Sequence, residues 1–483
     1  MKLRGQNLAV GAALLASSCV MYPPEPTDAG RVVAPGAAFS VTPGEGEVRL
    51  DRWWRSFGDE QLDRLVVCAL TNNLSLAQAE ARLRQARELA VQAGASLRPD
   101  VSASASASET ARRADAAGGG HETTTRESFG LGLSGSYEAD VWGRLRAVRN
   151  AAEMEARATQ SDREAVAMTI TGEVTARYLE WLAQVQTVAL LEEQAATNRK
   201  VLELLKERYA RARASALDVF QQQSVVAQTE ALLPGARATE ELLRRELAVL
   251  IGLPPQADLG LEPRPLPPAR PPPEPGLPVE LLVRRPDVRA AAERLEKAGW
   301  QVSAARADRL PALRLTASAT ASGEQLAQIL DHWAASLAAN LVAPLADGGR
   351  RVSEVARARA VADERLAAYR AAVLAAVLDV ESALVRERRQ RETVEALERQ
   401  VEAVRQTETE SMRRYSRGLE SYLSVLTAKL SLQGQQRALI QARYTMLAYR
   451  VQVCRALGGD WEAVLAAPAG EAGGEERKAD VTN

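Results

Sequence analysis

Leu313-Arg314-Leu315-Thr316-Ala317-Ser318-Ala319-Thr320 alternates apolar and polar side chains at every step. Successive residues of a strand point to opposite faces, so a period of two gives a ribbon with one apolar face and one face of hydroxyls. The pattern also occurs earlier: Val101 to Ser108 alternates Val/Ala with Ser, and Phe129, Leu131, Leu133, Tyr137, Ala139 and Val141 share one face. Trp333, Leu337, Leu341 and Leu345 line a fourth strand. Strands of about nine to eleven residues with one polar face have the length and pattern of membrane-barrel strands. A soluble two-sheet cap would show the same alternation, because the signal is weak for each segment alone. Between the first two strands, Ala116 to Thr125, with Gly118-Gly119-Gly120-His121, reads as a mobile hairpin loop that carries His121 into solvent.

Each strand pair sits between helical patterns. An amphipathic helix precedes it, about Asp59 to Ala93 and again about Val279 to Ala305. After it come two long intervals without proline, Arg144 to Leu233 and Leu345 to Ala467. Uninterrupted helices from Arg144 to Tyr209 and from Arg350 to Tyr415 would each run roughly 100 Å, too long for one globular domain. Tyr178, Trp181, Val185 and Val188 step by 3, 4 and 3, as do Val394, Leu397, Val401 and Val404. That spacing is a coiled-coil seam. The chain turns back at Arg208-Tyr209 to Asp218 and at Arg414-Tyr415 to Glu420, and return helices end at Ile251-Gly252 and Leu457-Gly458. Pro234-Gly235 lies inside the first return helix and is expected to kink it.

The two halves are copies. Leu83 pairs with Leu295 and Pro99 with Pro311 at an offset of 212, while Gly143 pairs with Gly349, Tyr209 with Tyr415 and Gly252 with Gly458 at 206. Of the 22 prolines, 11 fall between Pro254 and Pro278, which makes that stretch a linker. Four strands cannot close a barrel, since the smallest membrane barrels need eight. Two, three or four copies of the chain would supply 8, 12 or 16 strands, with the helical hairpins stacked into a conduit below.

With charged residues at 25% and hydrophobic residues at 46%, composition fits neither a disordered tail nor a polytopic helical membrane protein. Aromatic residues are 4% with 4 Phe, so burial leans on Ala, Leu and Val, a diet suited to close-packed long helices. The net charge of -1, from 61 basic and 62 acidic residues, gives no drive toward nucleic acid. At the amino terminus Lys2 and Arg4 precede an apolar run, Leu8 to Ala16, and then Ala16-Ser17-Ser18-Cys19. This resembles a bacterial lipoprotein signal, with Cys19 lipidated as the first mature residue. Leu15 sits one place further from the cysteine than usual, so a plain secretory signal with Cys19 unmodified is the alternative. Past this segment no run of 18 uncharged apolar residues occurs, so any crossing of a bilayer must use strands. The domain map is a signal at 1–18, a lipid-anchored tether at 19–58 with Pro/Gly-rich Met21 to Pro43, a first repeat at 59–252, the linker at 253–278, a second repeat at 279–458 and a C-terminal equatorial segment and tail at 459–483.

Trp53-Trp54 with Phe57, Asp59 and Leu62, the run Asn72-Asn73-Leu74, the stretch Asp140-Val141-Trp142-Gly143-Arg144-Leu145-Arg146, the motif Arg284-Arg285-Pro286-Asp287-Val288 and the ending Ala456-Leu457-Gly458-Gly459-Asp460-Trp461 together resemble the TolC/OprM family. They resemble more narrowly the outer-membrane lipoproteins that serve resistance-nodulation-division efflux pumps. The likeness covers nearly the whole mature chain. It implies a mainly α protein with a membrane β-barrel: a homotrimer with four strands per chain in a 12-stranded barrel, continued by a long α-helical coiled-coil tunnel. It also implies partners, namely a periplasmic adapter protein, an inner-membrane resistance-nodulation-division pump and outer-membrane lipid. The implied function is a passive duct that carries drugs or other small toxic compounds outward.

The resemblance places the periplasmic aperture and adapter contacts at the helix turns. Tyr209, Ser215 and Asp218 match the first tip, with Ala212 where glycine is usual; Tyr415, Arg417, Gly418, Glu420, Ser424 and Thr427 occupy the second. Relatives commonly carry aspartate at the Thr427 position and some at the Ser424 position. The expectation is an aperture closed by Tyr415, Arg417 and Glu420 contacts between neighbouring helices, with a weaker acidic ring; a merely solvated turn is the alternative.

Chemistry has little footing elsewhere. His121 and His332, both expected in barrel loops, form no metal or Ser/His/Asp constellation, and Ser134 in Gly132-Leu133-Ser134-Gly135 has a strand running through it. No cofactor, metal or catalytic residue is expected. Cys68 and Cys454 would suit a periplasmic disulfide, but both lie in apolar helical stretches and read better as small core residues. A type I protein-secretion duct differs from an efflux duct only in the pump that docks. A periplasmic coiled-coil adapter would show one helical hairpin flanked by compact β domains, not two copies with membrane-length strands.

Overall fold

The computed structural model describes residues 50–115, 121–268, 284–459 and 461–466. Cys19, the tether up to residue 49 and residues 269–278 of the linker lie outside them. After a 3-10 segment, Leu50–Phe57, come α1 (Glu60–Asn72), α2 (Leu74–Ala95), β1 (Asp100–Asp115), β2 (His121–Ala139), α3 (Arg144–Ala210) and α4 (Ala216–Leu250). The second half repeats the order with α5 (Pro286–Ala307), β3 (Ala312–Gly323), β4 (Trp333–Val342), α6 (Arg350–Ser416) and α7 (Tyr422–Leu457), followed by α8 (Trp461–Ala466).

The helix expected from Asp59 to Ala93 is two helices. Asp59 caps α1 by accepting from the Gln61 and Leu62 amides, and Asn73 stops it with an extended backbone (φ −64°, ψ 129°). The Asn73 carboxamide oxygen then accepts from the Ser75 and Leu76 amides and starts α2, the N-cap role for which asparagine is well suited. Pro234 lies within α4, which continues through it as one element. The position is exposed, so the hydrogen bond lost to the proline ring leaves a carbonyl that water can reach.

The four strands form one antiparallel sheet in the order β1-β2-β3-β4. The first hairpin extends further than its alternation suggested. β1 pairs with β2 through Asp115↔His121, so His121 and Thr123 to Thr125 belong to a strand rather than to a loop, and residues 116–120 are outside the described set. Threonine's β-branched side chain favours the extended backbone there, which outweighs the polarity that suggested a loop. Val141 falls beyond β2 and Leu345 beyond β4. Across the sheet, Ser102, Ser134, Ser318 and Ser336 stand in one register row, with 2.8 Å hydroxyl contacts joining Ser102 to Ser134 and Ser318 to Ser336. The opposite face carries Val101, Leu131, Leu133, Trp333, Leu337 and Leu341, all exposed. One face of small hydroxyls and one of exposed apolar side chains is the division a lipid-facing barrel strand requires.

The chain divides into two compact units. One contains Arg82–Gln160 and Ala290–Arg370; the other contains the described residues of Val33–Ala81, Ser161–Arg289 and Ala371–Asn483. In the first, α5 and α6 meet through Ala298, Val302, Ala358 and Ala362, small side chains that allow close approach. The second has a large core in which Trp53, Trp54, Phe57, Tyr178, Trp181 and Trp461 are buried with Leu62, Leu182 and Leu247. Trp54 stacks on Trp461 with ring centres 6.2 Å apart. Aromatic residues are few in the sequence, yet four of the seven tryptophans gather in this one core.

Candidate functional site: the two helix tips

α3 and α4 meet at the first tip, α6 and α7 at the second. The first turn is closed by a reciprocal capping box. The Ser215 hydroxyl accepts from the Asp218 amide at 3.1 Å, and the Asp218 carboxylate accepts from the Ser215 amide at 3.0 Å. Just before it, Ala212 holds a left-handed backbone, φ 54°. The second tip uses Gly418 for that conformation, φ 76°. There Ser421 precedes α7 in N-cap geometry but makes no side-chain cap bond. At the offset of 206, Ser421 corresponds to Ser215 and Ser424 to Asp218. With serine in place of aspartate, the carboxylate half of the box is missing.

A buried cluster joins the tips within the chain. Leu205, Val225, Tyr422, Val425 and Leu426 form its centre, with Val201, Ala214, Val219, Met412 and Tyr415 packed around it. The Arg208 guanidinium lies 4.8 Å from the centre of the Tyr415 ring, within cation–π range, and Tyr415 tilts against Tyr422 at 5.4 Å. Burial raises the Tyr415 phenol above its ordinary pKa, with Arg208 acting against the shift. Burial, reinforced by Tyr415 and Asp218, raises Tyr422 as well, so both phenols stay protonated at neutral pH, and the buried Tyr415 hydroxyl has no hydrogen-bond partner among the described residues. The Tyr422 hydroxyl donates to Gln222 at 2.5 Å. Above it Gln222 donates to the Asn198 carbonyl, Asn198 to Thr229, and Gln433 back to the Asn198 carboxamide. This polar layer ties α3, α4 and α7 together in otherwise apolar seams. Lys429 is also buried beside it, and desolvation lowers its pKa against the attraction of Glu408.

The residues expected at the site are distributed over these two turns. Tyr209 is about half exposed at the end of α3. Arg417 and Glu420 make no side-chain bond to described residues of their own chain, and the Thr427 hydroxyl donates to the Leu423 carbonyl of its own helix. Tyr415 is held by Arg208 and Tyr422 rather than by Arg417 or Glu420. The reading missed Arg208, Asn198, Gln222 and Gln433; the available signal was a polar residue standing at a seam position that its neighbours fill with Leu and Val.

Elsewhere, His121 opens β2 and His332 lies exposed just before β4. Cys68 and Cys454 are free thiols; burial pushes the Cys454 thiol up to about 12. Among the described residues no cluster of His, Cys, Asp or Glu could hold a metal ion, and no helix is long and apolar enough to cross a membrane.

Two copies of a strand pair and a long helical hairpin define a channel of the TolC type. The outer membrane efflux protein family matches residues 65–253 and 277–459, one segment in each repeat. The chain is 36% identical over 475 residues to the pyoverdine export outer membrane protein OpmQ of Pseudomonas aeruginosa, covering 95% of this chain and 97% of that one. It is 28% identical over 489 residues to the toluene efflux pump outer membrane protein TtgF of Pseudomonas putida, covering 97% and 99%. The solved outer-membrane channel OprN superposes with a TM-score of 0.81 at 27% identity, over 92% of this chain and 100% of that one. The chain therefore belongs to the outer membrane efflux protein family. It is an outer-membrane efflux channel that extends into the periplasm.

Proposed function

We propose that three copies of this chain form the outer-membrane duct of a tripartite efflux assembly, joined through a periplasmic adapter to an inner-membrane resistance-nodulation-division pump. The observation that carries this reading is the four-stranded open sheet flanked by two long hairpins in one chain. β1 and β4 are its outer strands, and an open edge inside a bilayer is untenable. Three such sheets joined edge to edge make a 12-stranded barrel.

In this reading the tips form the periplasmic aperture and adapter contact, with Tyr209, Ser215, Asp218, Tyr415, Arg417, Gly418, Glu420, Ser424 and Thr427 at or near the rim, and Cys19 anchors the chain to lipid. The cargo comprises small compounds chosen by the pump. The relatives' names already span pyoverdine and toluene, so similarity to the duct does not fix what passes. The test is extraction from outer membranes followed by cross-linking and planar-bilayer recording. Trimers that form pores are expected, with loss of resistance to a panel of drugs and solvents on deletion of the gene. A monomer without pore activity would overturn the reading.

A further inference from the structure

The whole chain carries a net charge of -1, but the tips do not share that balance. From Lys206 to Asp218 the basic residues are Lys206, Arg208, Arg211 and Arg213, against Glu207 and Asp218. From Glu410 to Glu420 they are Arg413, Arg414 and Arg417, against Glu410 and Glu420. Seven basic groups therefore face four acidic ones. Ion pairs within the chain leave Arg208, Arg211, Arg213 and Arg417 against Glu207, Asp218 and Glu420. Lys206 is matched by Glu203, and Arg413 and Arg414 share Glu410. Arg211, Arg213 and Arg417 are exposed, and no carboxylate among the described residues pairs with them. The Asp218 carboxylate is engaged by the Ser215 amide. The polar face of the sheet, by contrast, is close to balance, with Arg112, Arg126 and Arg314 against Asp100 and Glu138 and with Glu324 beside Arg126.

We infer that the periplasmic mouth of this channel is an anion-favouring entrance, set by Arg211, Arg213 and Arg417, and that the compounds it passes most readily are negatively charged. The inference rests on the pore reading above. Three chains would bring nine unpaired guanidiniums to one rim. A concave entrance with an excess of one sign of charge raises the local concentration of the opposite ion and speeds its entry. Serine and threonine at Ser424 and Thr427 add no carboxylate to offset them. The bias acts on the charge of a solute and not on its shape, so it is compatible with a pump that makes the finer choice.

The experiment is reversal-potential measurement on the full-length channel in planar bilayers across a potassium chloride gradient. The wild type is compared with Arg211→Gln/Arg213→Gln, with Arg417→Gln, with the triple variant, and with Arg244→Gln as a charge-matched control near the far end of α4. A several-fold preference for chloride is expected in the wild type and in the control. It should fall in each tip variant and approach unity in the triple variant. It should also shrink as salt rises from about 0.1 M to 1 M, because the screening length falls from about 10 Å to 3 Å. A conducting wild type without chloride preference, or a triple variant that keeps it, overturns this inference and leaves the pore reading standing. A wild type that forms no pore overturns both.

Discussion

At the end of the first repeat Gly252 turns with φ 80° against the Asn72 carbonyl, and at the end of the second Gly458 turns with the same φ against the Arg284 carbonyl. A side chain on Gly252 would put its first carbon 2.3 Å from that oxygen, and on Gly458 2.8 Å. Beside each glycine, residues related by the repeat do the same work with different chemistry. Asn73 donates to the Leu250 carbonyl at 2.7 Å. Arg285, its counterpart, donates to the Ala456 carbonyl at 3.3 Å, which is the counterpart of Leu250. At the tips the relation is reversed. The turns correspond residue for residue, but one has the capping box with a strained alanine, and the other has the relaxed glycine without the box. Duplication kept the backbone demand at the joints and let the side chains drift; at the tips it let the turn chemistry itself diverge.

The largest expected effect tests whether both joints are equally tight. Gly252→Ala should lower stability by about 2–4 kcal/mol and Gly458→Ala by less, read as thermal melting of the purified channel. Equal losses would show that the 0.5 Å difference in approach has no consequence.

Next comes the charge difference between joints. Burial alone would raise the Asp287 carboxyl, but the hydrogen bonds and charge of Arg285 bring it below the ordinary carboxylate range. A carboxylate with a depressed folded pKa contributes stability that is complete above its unfolded value of about 3.9 and is lost as pH falls through the folded value. The second joint should therefore loosen in acid below about pH 4, while the Asn73 joint, which has no carboxylate, should not. Asp287→Asn should abolish that part of the acid dependence; an unchanged pH–melting profile would contradict the assignment.

At the tips, Asp218→Ala should cost about 1 kcal/mol of local stability, and Ser424→Asp should add about as much by completing the second box. Amide exchange at residues 215–218 and 421–424 reads both, and a Ser424→Asp variant without added protection would show that the second turn cannot adopt the box. Smallest of all, Ala212→Gly should relieve the left-handed alanine and slow exchange at that turn by no more than about 1 kcal/mol, whereas Gly418→Ala should do the opposite.

Much of this was legible in one dimension. The period-two stretches located all four strands, and the proline-free intervals located both long helices, because barrel strands and coiled coils are each specified by a repeating pattern of burial. The break at Asn73 and the strand at Thr123 to Thr125 were not legible. There a polar residue's role depends on a partner far along the chain or across a hairpin. The tip site was legible as a place, through Tyr209 and Tyr415 at one offset, but not as a set of contacts. Arg208 on Tyr415 and Tyr422 on Gln222 join segments about 200 residues apart.

The sequence by itself determined the duplication, the element order, the family and the charge excess at the tips, since these follow from residue identity and spacing. Only the tertiary structure decided which glycines have no room for a side chain, which tip has its cap, which arginines remain unpaired and where the scarce aromatics collect. Those depend on distances between elements that no local period encodes.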